Sequence, residues 1–313
     1  MSIPGPGATL VGMFEEGQLY SPVTEHEDGT VTVHLAPNHP GVDDPAYLAR
    51  RGEIAKAALR WEPGTPAPEV AYTQEEHEVW RTVCRELAPK HRRLAHSAYL
   101  EAWDAVALPT DRVPQLTEVS ERVGAVTGFT FDPAPGLVPL RQFYGSLADR
   151  TFHSTQYLRH PAEPLYTPEP DLIHEIIGHG VLLGAPPFAE LHRLTGDAAR
   201  RLETEEALRF LAKVFWFTCE FGVIEEAGEL RTYGAGLLSS FGEIEEFRAA
   251  DVRELDFLDM GTREYDITRY QPILYRARSL EHLMDAVGGF FAAMDDDTPA
   301  RLEADAGRAV HHV

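Results

Sequence analysis

Leu172-Ile173-His174-Glu175-Ile176-Ile177-Gly178-His179 is the stretch on which the reading of this chain turns. Two imidazoles and a carboxylate interrupt an apolar run that predicts a buried helix over 172–183, with Asp171 as its cap. Burying such groups costs a few kcal/mol unless each has a partner, and neutral imidazole is the commonest metal ligand. Zinc proteases place two histidines four residues apart, on one helix face. Here the gap is five, about 140° around an ideal helix. Both rings reach one ion only if the helix ends, kinks or bulges, and Gly178 is the plausible place. Histidines satisfied within the core are the alternative this spacing leaves open. A third ligand should be a buried acid. Glu220, in Phe215-Trp216-Phe217-Thr218-Cys219-Glu220-Phe221, has the same desolvation problem. Two histidines and a carboxylate make the facial triad of non-haem Fe(II) sites, but zinc hydrolases use the same set.

Working outward, the 313 residues are long enough for a substantial core, and no apolar run approaches membrane-span length. The N-terminus lacks the pattern of a signal peptide, so a cytoplasmic location is expected. A net charge of −22 disfavours nucleic acid as the main partner. Cys84 and Cys219 are too few for a disulfide framework or a Cys-rich zinc site.

The chain predicts a mostly α fold with a small β component. Residues 1–38 form an extension in which Leu19–Tyr20 and Val31–Val33 could make a short hairpin around Asp28-Gly29. Helices are expected over 45–60, from the Thr73 cap to a break at Pro89, over 91–105, 114–127, 140–149, 203–221 and 279–294. A strand is expected at 129–131, and a hairpin over 223–233 turning at 226–228. Residues 39–294 read as one domain, and 295–313 as an acidic, mobile tail. His26, His34, His77, His91, His311 and His312 sit in polar contexts and read as surface.

Ordered motifs then join into a resemblance. They include His39-Pro40-Gly41, Thr155-Gln156-Tyr157 through Arg159-His160, and Tyr166-Thr167-Pro168-Glu169-Pro170-Asp171. His174-Glu175 with Gly178-His179, Trp216-Phe217-Thr218 with Glu220-Phe221-Gly222, and Tyr233 through Ser240 follow. From about Asn38 to Met294 the chain resembles the catalytic domain of the pterin-dependent aromatic amino acid hydroxylases. The resemblance implies a single α-rich domain using Fe(II), tetrahydrobiopterin and dioxygen on a free aromatic amino acid. By matching position it makes His174, His179 and Glu220 the iron ligands. Arg159 would pair with the substrate carboxylate, for which a planar fork is suited, and Thr167, Trp216, Ser239 and Ile267 would surround the amino acid. Gly136, Leu137, Val138, Phe143, His153 and Glu175 would hold the pterin, with Phe215 on the cofactor side.

Several departures accompany the match. Phe215 stands where relatives usually carry tyrosine, Gly180-Val181 replaces a valine-proline pair, and Leu140 replaces a serine near the pterin. No regulatory domain or tetramerising helix is expected, which leaves a monomer or a dimer. Trp216 and the apolar Ile267 favour phenylalanine over tryptophan or tyrosine, with the 4-position as the family's usual outcome and the 3-position, giving meta-tyrosine, as the alternative. A zinc hydrolase and a non-catalytic binding protein are the readings from other classes.

Overall fold

The computed structural model describes residues 22–136, 138–267 and 269–310. A hairpin of β1 (Val23–Glu25) and β2 (Val31–Val33) packs Val33 and Leu35 against Ala55 of α1 (Pro45–Leu59). Val23–Glu25 takes the place expected for Leu19–Tyr20, which lie outside the described residues.

α2 (Gln74–Leu94) starts from a full capping box of Thr73 and Glu76. Pro89, expected to end it, lies inside. The buried stripe of Val79, Trp80, Val83, Cys84 and Leu87 continues to His91 and Leu94, and that burial outweighs the lost backbone bond and ring strain. His91 is therefore buried and not on the surface, with Nε2 2.7 Å from Leu238 O. The break comes at Ala95, which bridges to Thr232 before α3 (Ser97–Val106).

α4 (Leu116–Thr127), β3 (Thr130–Pro133), α5 (Leu140–Leu147) and β4 (Thr151–Ser154) follow, with β3 and β4 paired in parallel. A π-helical turn over His174–Gly180 runs into α6 (Val181–Leu183). α7 (Pro186–Arg201) was not anticipated from sequence. Its Gly196 lies so close to α5 that a Cβ would stand 2.1 Å from Ala148 N. α8 (Glu205–Phe215) passes into a second π turn, Trp216–Glu220, where one regular helix was expected.

β5 (Val223–Glu226) and β6 (Glu229–Thr232) form the expected hairpin. Ala227 and Gly228 both have positive φ (52° and 81°), as a type I′ turn requires. α9 (Ala235–Ser239), α10 (Glu243–Glu246), β7 (Asp251–Glu254), α11 (Phe257–Thr262) and β8 (Ile273–Ala277) complete the sheet region. The sheet order is β6-β5-β8-β7, with only β5 and β6 antiparallel. α12 (Leu280–Leu283) continues through a third π turn, Met284–Gly288, into α13 (Gly289–Ala293) against α7. Where a mobile tail was expected, α14 (Thr298–Val310) packs on α8 and α11. One apolar core runs from Val79 to Met294. Among the described residues no helix is long and apolar enough to cross a membrane.

α9 lies directly on the first π turn, and Gly178 permits the contact. A Cβ there would stand 2.8 Å from Ala235 O, which is backbone and cannot swing away. Gly178→Ala is therefore expected to lower unfolding free energy by about 1–3 kcal/mol. Gly289→Ala, with no atom within 4 Å of its Cβ, is the control. Denaturant melts of both check this; equal midpoints would contradict the close approach.

Candidate metal centre and active site

The five-residue gap between the histidines is resolved by the helix itself. Over His174–Gly180 the backbone adopts π geometry, whose i→i+5 bonding widens the turn and brings side chains five apart nearer to one face than an α-helix would. Val181 N–H bonds back to Ile176 O, five residues earlier. The same device ends α8, where Phe221 N–H meets Trp216 O at 2.9 Å. The two turns bring His174, His179 and Glu220 together, with one candidate ligand atom from each lying within 4.8 Å of the others.

The hydrogen bonds decide where the ring protons sit. Ser239 Oγ donates to Ala235 O at 2.9 Å, so it accepts from His174 Nδ1–H at 3.0 Å, which leaves Nε2 as a lone pair. That nitrogen lies 3.5 Å from Glu220 Oε2, and His179 Nε2 lies 2.8 Å from Glu220 Oε1. Neither His179 Nε2 nor Glu220 Oε1 makes a proper hydrogen bond among the described residues. Burial pushes the His174 imidazolium down to about 4 and that of His179 to about 3, so both rings are neutral at pH 7. Burial likewise raises the Glu220 carboxyl, against the pull of His174. Buried lone pairs converging on a carboxylate fit a cation.

His174 and Glu220 open onto a cavity of about 380 Å³, while His179 is fully enclosed. Arg159, Thr167, Trp216, Phe221, Ser239 and Ile267 also line it. Trp216 stacks on Tyr265 at 4.1 Å between centroids, and its Nε1 donates to Gln271 Oε1 at 3.2 Å, so its indole is fixed. Arg159 is partly committed: Nε and Nη2 grip Asp171 at 3.0 and 2.9 Å. Its Nη1 is the guanidinium nitrogen outside that pair. Asp171, read from sequence only as a helix cap, is thus what orients Arg159.

The comparisons with known proteins match this arrangement. The family model described as "Biopterin-dependent aromatic amino acid hydroxylase" covers residues 24–306. The chain belongs to this family. It is 52% identical over 272 residues to a phenylalanine 3-hydroxylase of Streptomyces coeruleorubidus, covering 87% of this chain and 98% of that one. It is 39% identical over 271 residues to the phenylalanine-4-hydroxylase of Bos taurus, covering 83% of this chain but 59% of that protein. Among solved structures, the Chromobacterium violaceum phenylalanine hydroxylase with bound iron(III) and 7,8-dihydrobiopterin is similar, with a TM-score of 0.68 and 31% identity over 77% of this chain and 86% of that one. The apo enzyme of Colwellia psychrerythraea 34H gives 0.69 and 31%, over 78% and 94%.

The residues matched to the pterin side of this hydroxylase family lie apart from the cavity. Gly136, Val138, Phe143, His153, Glu175 and Phe215 are not among its lining, and Leu137 lies outside the described residues. Phe143 and His153 lie on α5 and β4, whereas Glu175 belongs to the first π turn and Phe215 ends α8. Asp132 pairs with His153, Phe143 packs on Phe152 at 5.5 Å, and Phe152 lies 4.8 Å from His179. Phe215 reaches His179 at 6.3 Å and Tyr144 at 5.2 Å, so these aromatic groups flank the enclosed His179. Glu175, the base a protease reading would need, is buried and is not among the cavity's lining residues. His192, which sequence reasoning passed over, contacts His179. Its signal was a polar residue on the buried face of α7, four after Phe188.

Replacing His174, His179 or Glu220 by Ala is expected to remove tightly bound metal and cut turnover by orders of magnitude while far-UV circular dichroism is kept. Metal analysis of each purified variant checks this. Because ligands must be deprotonated and Glu220 holds its proton to higher pH than usual, Co(II) affinity is expected to fall on acidification before either imidazole titrates. A flat titration series would contradict that assignment.

Proposed function

We propose that this hydroxylase acts on free phenylalanine and adds the hydroxyl at the 3-position of the ring, giving meta-tyrosine. The carrying observation is a two-histidine, one-carboxylate cluster open on one side to an amino-acid-sized cavity that also exposes Arg159. Fe(II) held by His174, His179 and Glu220, together with tetrahydrobiopterin, supplies dioxygen activation when bound. The protein's own residues place the substrate. Arg159, steadied by Asp171, takes the carboxylate, and Thr167 shapes the loop beside it by donating to Glu169 O at 2.9 Å. Trp216 and Phe221, 4.6 Å apart between centroids, wall the ring and keep water from it. Ser239 both lines the cavity and orients His174.

Ile267 supports the choice of phenylalanine. It lines the cavity and offers no acceptor for a ring hydroxyl, and such a contact is worth about 1–3 kcal/mol in a buried site. The ring position departs from the 4-hydroxylation expected from the wider family. It follows the relative that matches this chain at 52% identity across 98% of its own length. With one end of the substrate held by Arg159, a slide of one ring bond along the aromatic wall exchanges the two outcomes.

Turnover with Fe(II), tetrahydrobiopterin and mixed phenylalanine, tyrosine and tryptophan tests this reading. Phenylalanine should be consumed first and meta-tyrosine should dominate by chromatography against both standards. Para-tyrosine as the main product would overturn the ring position, and preference for another amino acid would overturn the substrate. Arg159→Lys keeps the charge but loses the planar fork. A KM for phenylalanine raised about tenfold or more, with metal content unchanged, is the expected result; an unchanged KM would place the carboxylate elsewhere.

A further inference from the structure

We propose that His192 is a positioning residue for the metal centre, accepting the Nδ1–H of His179 and thereby aiming that ligand's Nε2 at the ion. The inference rests on the metal reading given above. His192 lies on α7, outside the cavity lining and fully enclosed. Its Nδ1 is 2.8 Å from Phe188 O. A carbonyl only accepts, so Nδ1 carries the proton and Nε2 is a lone pair. That lone pair stands 3.4 Å from His179 Nδ1, with the ring planes crossing at 87°.

The direction of this bond fixes the next one. If His192 Nε2 accepts, His179 Nδ1 must donate, and His179 Nε2 is left unprotonated 2.8 Å from Glu220 Oε1. The other aromatic ring against His192 is Phe215, perpendicular at 5.4 Å, and it offers no polar atom to compete. The two histidine ligands are therefore set by different anchors, a serine hydroxyl for His174 and a second imidazole for His179. An imidazole is a better acceptor than a hydroxyl, so His192 also strengthens His179 as a donor. Partners of this kind fix the tautomer and raise the basicity of a metal ligand, and losing one typically costs 10–100-fold in metal affinity.

Two variants separate positioning from mere packing. His192→Phe keeps a ring but removes the acceptor, whereas His192→Gln retains an acceptor. Co(II) affinity by chelator competition, together with the visible Co(II) spectrum, is the readout. His192→Phe is expected to weaken Co(II) binding about 10–100-fold and shift the spectrum, with His192→Gln recovering most of the loss. Equal affinities and spectra in all three proteins would overturn the proposal. If His192→Phe does not fold, nitrogen-15 NMR of the unchanged Zn(II)-loaded protein decides. A neutral His192 protonated at Nδ1 supports the relay, and a proton on Nε2 overturns it. Failure of the unchanged protein to bind Co(II) would instead overturn the metal centre itself.

Discussion

Glu220 and His179 face each other across 2.8 Å with an unshared pair on either side, buried and without a hydrogen bond between them. Such a contact is repulsive unless a proton or a metal ion occupies it, and desolvation sharpens the demand because water cannot enter to screen it. Much of the surrounding architecture serves to hold that unfavourable pair in place. α9 supplies Ser239 to His174, α7 supplies His192 to His179, and the aromatic groups of α5, α8 and β4 close the far side. The arrangement is thus organised around what a cation would contribute.

The two π turns are the backbone's part in this. Each inserts an i→i+5 bond into its helix, one in the turn carrying both histidines and the other in the turn ending on Glu220. Val181 closes the first with its N–H to Ile176 O. A proline there, as relatives usually carry, has no N–H to give. This chain therefore holds the histidine turn with a bond that a valine-proline pair lacks. Gly178 contributes by letting α9 approach, which places Ser239 within reach of His174.

The triad itself was legible in the sequence, because buried imidazoles and a carboxylate among isoleucines and aromatics stand out whatever the helix type. The bulge was legible only as a necessity: five-residue spacing excludes an ideal helix but does not say which distortion replaces it. Pro89 misled, since local propensity marks a break while the apolar stripe through His91 and Leu94 continues the helix. His91 was read as surface, and His192 was not singled out, for a related reason. Charged neighbours such as Arg92 and Arg193 hide the fact that each side chain lies on the buried face of its helix, where it meets Leu238 O and His179 respectively. Arg159 was found by its resemblance, but Asp171, which holds two of its nitrogens, reads from sequence as nothing more than a cap.

The most direct measurement is anomalous diffraction at the iron edge from crystals of the Fe(II)-loaded protein. A single peak within coordination distance of His174 Nε2, His179 Nε2 and a Glu220 carboxylate oxygen, with both histidines on an intact π turn, is the expected result. Iron bound elsewhere, or bound to only one of the two histidines with the helix regular between them, would contradict it.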